Sequence, residues 1–164
     1  MIALIIVVPI VGIALNLTTA RYLPKPSAGI IASGAAGLSF VIALIQFMEM
    51  LTNPEPIRLA IAEWIRVGGF SVGWTLNIDP LSMTMVLLVT GIGTLIHIYS
   101  IGYMRGDPRF TRFFIYLNLF LVEMLILITA DNFLVLFAGW EGVGLCSFLL
   151  IGFWFDKAGE GAQI

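Results

Sequence analysis

Five stretches of the chain are apolar almost without interruption, and each is about the length a helix needs to cross a bilayer, roughly 20 residues. They run from Ile2 to Thr19, about Ala28 to Leu51, about Pro80 to Tyr103, about Thr111 to Thr129 and about Asn132 to Phe155. The first begins almost at the N-terminus but has no basic segment ahead of it, so it reads as a true span rather than a signal peptide. Short polar pieces separate the spans. Arg21 to Ser27 carries two prolines, Arg105 to Arg109 contains Gly-Asp-Pro, and Ala130-Asp131-Asn132 is a tight turn in which Asn132 can cap the following helix.

The pattern changes between Thr52 and Asp79. Phe70, Val72, Trp74, Leu76 and Ile78 alternate with Ser71, Gly73, Thr75 and Asn77, a period of two that predicts a half-buried strand. Ile57 to Val67 alternates less cleanly, and Gly68-Gly69 between the runs is a hairpin-turn signal. The expectation is an all-α membrane protein with about five transmembrane helices. A β-hairpin over about 57–78, outside the bilayer and lying on the helix ends, joins the second helix to the third. Without repeats or low-complexity linkers, residues 1–164 read as a single domain. Asp79-Pro80 reads as a helix cap followed by proline at the first helical position.

Composition supports the lipid setting. Of 164 residues, 60% are hydrophobic and 11% charged, where a soluble domain has about 45–50% and about 25%. A net charge of −2 argues against a nucleic-acid partner. The eight basic residues fix an orientation. With the N-terminus outside, the inner loops hold Arg21, Lys25, Arg105, Arg109, Arg112 and Lys157, and the outer loops hold Arg58 and Arg66, as the positive-inside rule requires. The hairpin and the Asp131 turn then face outward, and the tail from Asp156 to Ile164 faces inward.

Ionisable residues at bilayer depth are costly and are functional candidates by default. Glu141 is the tenth residue of its span, about 14 Å from the outer end at 1.5 Å per residue. No basic residue lies in its own helix. The reading as a proton-exchanging acid stands beside that of a hydrogen-bonded structural acid. Ala138, Gly142 and Cys146 form a small-residue stripe that lets another helix approach, so Glu141 is expected to point into a packed bundle. Glu123 lies on the antiparallel neighbour, roughly 4–5 Å different in depth. If both acids faced one gap they would titrate as a coupled pair. His97, in the inner half of its span, is a proton carrier or a packing residue. Cys146 reads as packing. Trp64, Trp74, Trp140 and Trp154 read as interfacial or packing residues. Metal binding is not expected from one histidine and one cysteine. No cysteine cluster, haem ligand pair or dinucleotide fingerprint is present, so no redox centre is expected in this chain.

The run from Gly139 to Trp154, Gly-Trp-Glu-Gly-Val-Gly-Leu-Cys-Ser-Phe-Leu-Leu-Ile-Gly-Phe-Trp, resembles the fifth-helix signature of the antiporter-like L subunit (chain 5 in mitochondria) of respiratory complex I. Asp79 to Ser82, Leu95 to His97 with Gly102 to Met104, and Arg112 to Phe120 leading to Ala130-Asp131-Asn132 agree with it in order. The resemblance covers most of residues 70 to 155. It implies a proton-translocating subunit of NADH-quinone oxidoreductase. NADH, FMN, iron–sulfur clusters and quinone would be held by other subunits, and the other membrane subunits of the complex would be its partners. The membrane would be the bacterial cytoplasmic membrane, or the mitochondrial inner membrane. Glu141 matches the family's fifth-helix glutamate, whose partner is a lysine on a later, broken helix beyond this sequence. Glu123 departs from the family, where a small or apolar residue is expected. The chain thus resembles the N-terminal part of a longer subunit and is not expected to pump alone. Two other readings remain: the large subunit of a multisubunit sodium–proton antiporter, and a non-transporting membrane scaffold or assembly protein.

Overall fold

A computed structural model describes residues 2–20 and 22–155. The orientation argument from Arg21 and Lys157, and the tail from Asp156 to Ile164, lie outside the described residues. Within them, five helices are long and apolar enough to cross a membrane: α1 (Ile2–Thr19), α2 (Lys25–Thr52), α3 (Pro80–Tyr103), α4 (Phe110–Thr129) and α5 (Phe133–Ile151). Between α2 and α3 stand β1 (Ile57–Val67) and β2 (Phe70–Ile78).

Two helix ends differ from the sequence reading. The second helix starts at Lys25 rather than near Ala28, with Pro24 as its cap and Pro26 in its first turn. A proline there sacrifices no helical hydrogen bond, because first-turn amides have no acceptor within the helix. The fifth helix ends at Ile151 rather than Phe155. Beyond Gly152 the chain turns, and Phe153 is buried edge-on against Phe113, at 5.4 Å between ring centroids.

The hairpin is antiparallel, with Ile57 opposite Ile78 and Val67 opposite Phe70. Gly68 supplies the turn's positive φ of 59°, which a Cβ would disfavour. The register shifts between Ala60 and Ala62 and again between Glu63 and Ile65, which is why β1 alternates less cleanly than β2. Only the base of the hairpin rests on the helices. Leu76 and Ile78 are buried, whereas Val67 and Phe70 at the tip are exposed. Along its length Trp64 packs on Trp74 at 5.3 Å. The base grips the α4–α5 turn: the Asn132 side-chain amide donates to the Gly73 carbonyl at 2.9 Å, and the Asp131 amide donates to Thr75 at 3.3 Å. Arg58 pairs with Asp131 at 3.6 Å. The hairpin and the Asp131 turn therefore share one end of the bundle, as expected.

Helix α1 packs on α2 and α4, α2 on α3, and α4 on α5. One apolar cluster, including Ile5, Ala43, Met83, Val86 and Leu125, ties the hairpin base to α1–α4. A second, built on Ala32, Met104, Phe114 and Phe153, closes the opposite end. Small residues on α2 (Ala32, Ala36, Ala43) are fully buried, which lets helices approach closely where lipid offers no hydrophobic drive to assemble.

Candidate proton-handling site

Helix α4 meets α5 through glycines. A Cβ added at Gly139 would lie 2.8 Å from the Leu127 backbone nitrogen, and one added at Gly142 would run into the Glu123 carboxylate. The small-residue face expected around Glu141 exists, with Gly139 taking the place given to Ala138 and with Val135 and Cys146 completing its buried line. Asn132 starts the helix by accepting from the Val135 amide at 3.0 Å.

Within the described residues Glu141 lies off the α4–α5 crossing. Successive helical residues are rotated by about 100°, so with Gly142 turned to α4, Glu141 falls on the exposed face of α5. Among the described residues nothing packs over it. The half-buried acid at the crossing is Glu123, seated against Gly142. The two carboxylates are thus neighbours across one helix pair without facing a common gap, and no hydrogen bond joins them among the described residues.

His97 lies elsewhere, on the α3–α4 seam, and is 2% exposed. Its Nδ1 is 2.7 Å from the Gly93 carbonyl and its Nε2 is 3.0 Å from Oδ1 of Asn118. Its ring also borders a cavity of about 250 Å³ whose other walls are apolar, among them Leu88, Ile92, Phe120 and Met124. The structure brings Glu123 close to the backbone beside Glu141 and leaves His97 apart from both.

Asn118 and Asn16 are two buried polar residues that the sequence reading did not single out. Both are fully buried. Asn16 donates to the Ala28 carbonyl at 3.1 Å, while its Oδ1 and the Asn118 amide nitrogen have no partner among the described residues. The signal was available: an asparagine in the middle of an apolar span must hydrogen-bond inside the protein. At the membrane edge, Asp79 accepts from the Ser82 amide at 2.7 Å, and the Ser82 hydroxyl bonds the Asp79 amide at 2.8 Å. These bonds to Ser82 hold the Asp79 carboxyl below its usual value.

Five helices long and apolar enough to cross a membrane, a hairpin at one end and carboxylates within the helices define a multi-pass membrane bundle. Comparison with known proteins makes this particular. Residues 64–114 match the family described as NADH-Ubiquinone oxidoreductase (complex I), chain 5 N-terminus. The chain is 42% identical to NADH-quinone oxidoreductase subunit L of Escherichia coli K12, over 99% of this chain and 27% of that one. It is 44% identical to the subunit L of Rickettsia bellii, over 94% of this chain and 24% of the relative. The chain is similar to these subunit L proteins along nearly its whole length, and it spans about a quarter of the length of the curated relatives it matches. In fold it is similar to a chain of the Mrp complex from Dietzia, with a TM-score of 0.72 and 29% identity, covering 99% of this chain and 16% of that one. An archaeal membrane-bound sulfane sulfur reductase complex shares the fold at a TM-score of 0.63.

Proposed function

We propose that this sequence is the N-terminal portion of a proton-translocating membrane subunit of NADH-quinone oxidoreductase, in which quinone reduction elsewhere in the complex drives protons across the membrane. The observation that carries the reading is the 42% identity to a subunit L along 99% of the chain, which includes the α5 segment around Glu141. In this reading the N-terminus is outside, the hairpin faces outward, and the membrane is the bacterial cytoplasmic membrane. NADH, FMN, the iron–sulfur clusters and quinone belong to other subunits. The chain itself forms one transmembrane domain.

Glu141 is the principal proton site, and its position on the open face of α5 supports this. An ionisable side chain in mid-bilayer is costly and calls for a partner. A later helix carrying the lysine that the family resemblance implies would cover that face and supply the counter-charge. Exchange of a proton between the carboxyl and the amine of such a pair is the elementary step of this reading. Glu123, half-buried at the α4–α5 crossing, and His97, held by Asn118, are secondary proton-handling groups.

Glu141→Gln in the full-length protein within its complex tests the reading. The amide preserves shape but cannot release a proton. Assembly and electron transfer from artificial donors should persist while proton pumping falls, measured as the proton-to-electron ratio. A normal ratio would remove Glu141 from the route. The large subunit of a multisubunit sodium–proton antiporter remains the second reading, supported by the likeness to the Mrp complex, although at 29% identity.

A further inference from the structure

Two cations stand at the end of the bundle opposite the hairpin, with one carboxylate, Asp107, beside them. Lys25 opens α2 and Arg105 follows α3, and together they line a concavity of about 400 Å³. Neither makes an ion pair among the described residues. The floor is apolar, formed by Ile101 and Phe110. Asp107 also borders the space, but its Oδ1 accepts from the Arg109 amide at 2.7 Å and its Oδ2 from the Trp154 indole at 2.9 Å. Among the described residues lining the pocket the formal balance is one net positive charge, which complements a single phosphodiester.

The surface leading away from this pocket is built for hydrocarbon. Gly102, Ile98 and Leu95 lie along one exposed face of α3, and Leu95 is 67% exposed. They form a lane running roughly 10 Å from the pocket toward mid-bilayer. On α2, Pro26, Ile30 and Gly34 form a parallel exposed line. Among the described residues, a Cβ added at Gly102, beside the pocket, or at Gly34, more than two turns along α2 from it, would meet nothing within 4 Å. Tyr22 and Tyr103, exposed near the same end, sit at the level where aromatic side chains favour headgroups.

We propose that Lys25, Arg105 and the Gly102 face form a binding site for one anionic phospholipid, its phosphodiester between the two cations and an acyl chain along Gly102, Ile98 and Leu95. The charge and the lane together select a lipid over a free anion. A soluble phosphate would use only the cations, and a zwitterionic lipid would bring its own cation into a positive pocket.

The test uses the full-length protein purified with its native partners and reconstituted in phosphatidylcholine vesicles containing phosphatidylglycerol with a diazirine in its acyl chain. Photolabelling should fall on peptides spanning residues 95–106. Lys25→Gln and Arg105→Gln should each lower it about fivefold, the effect of one basic side chain at an anionic surface. Lys25→Arg with Arg105→Lys should retain labelling and shows that the fold survives substitution there. Gly102→Phe fills the lane without altering charge and should also lower labelling. An excess of inorganic phosphate should leave it unchanged. Equal labelling in the charge and Gly102 variants, equal labelling by a phosphatidylcholine probe, or loss of labelling to inorganic phosphate would each overturn the proposal.

Discussion

Three glycines in α5 occupy three different surroundings, and alanine at each should have a different consequence. At Gly139 the new methyl would stand 2.8 Å and 2.9 Å from the Leu127 backbone nitrogen and Cα, about 0.6 Å inside the 3.4 Å where ordinary contact begins. Backbone in the middle of a helix cannot swing aside, so α4 and α5 must separate. Forcing one extra methyl into a packed contact costs about 1–3 kcal/mol. At Gly142 the obstruction is the end of the Glu123 side chain, which can rotate. Alanine there should cost less stability but should move the Glu123 carboxylate out of the crossing. At Gly144, on the Glu141 face of α5, nothing among the described residues lies within 4 Å, so alanine there breaks none of the α4–α5 contacts and should cost least of the three. The order of stability is therefore Gly144→Ala, then Gly142→Ala, then Gly139→Ala. It can be read from thermal inactivation and from the yield of assembled complex on native gels, with all three variants made in the full-length protein. If Gly139→Ala assembles and melts like the parent while Gly144→Ala does not, the α4–α5 crossing is not the close contact described here.

Three further outcomes follow from named contacts. Asn132→Ala removes both the α5 cap and the bond to Gly73, and should cost about 1–2 kcal/mol, whereas Arg58→Ala loses an exposed pair and should cost less than about 0.5 kcal/mol; trypsin cleavage near Arg66 should accelerate only in the first. Asp79 has its carboxyl lowered in the folded state, so its capping contribution is complete above the unfolded pKa of about 3.9 and is lost as pH falls through the folded value; the exchange protection factor of the Ser82 amide should be constant near neutral pH, fall only in acid, and be low at every pH in Asp79→Ala. Cysteines introduced at Lys25 and Gly69 should react with an impermeant maleimide from opposite sides of the membrane, and same-side labelling would refute the five-span orientation.

The spans, the hairpin and the caps were legible in the sequence because each rests on a local cause. An apolar run of bilayer length has to be helical, since no other backbone form satisfies its own amides in lipid. The alternation from Phe70 to Ile78 specifies a strand, and Gly68-Gly69 a turn, whatever lies nearby. Asp79 and Asn132 announce helix starts through hydrogen bonds that reach only three residues ahead. Rotation of one helix against another has no such local cause. Glu123 and Glu141 could be placed in depth by counting residues, yet which of them met the neighbouring helix depended on how closely α4 and α5 approached. Gly139 and Gly142 set that approach, seating Glu123 in the crossing and turning Glu141 outward. The same limit applied to Asn118, unremarkable in its own span until α3 packed beside it and brought His97 within 3.0 Å. It applied also to Lys25 and Arg105, eighty residues apart in the chain, which became one site only when α2 and α3 lay side by side.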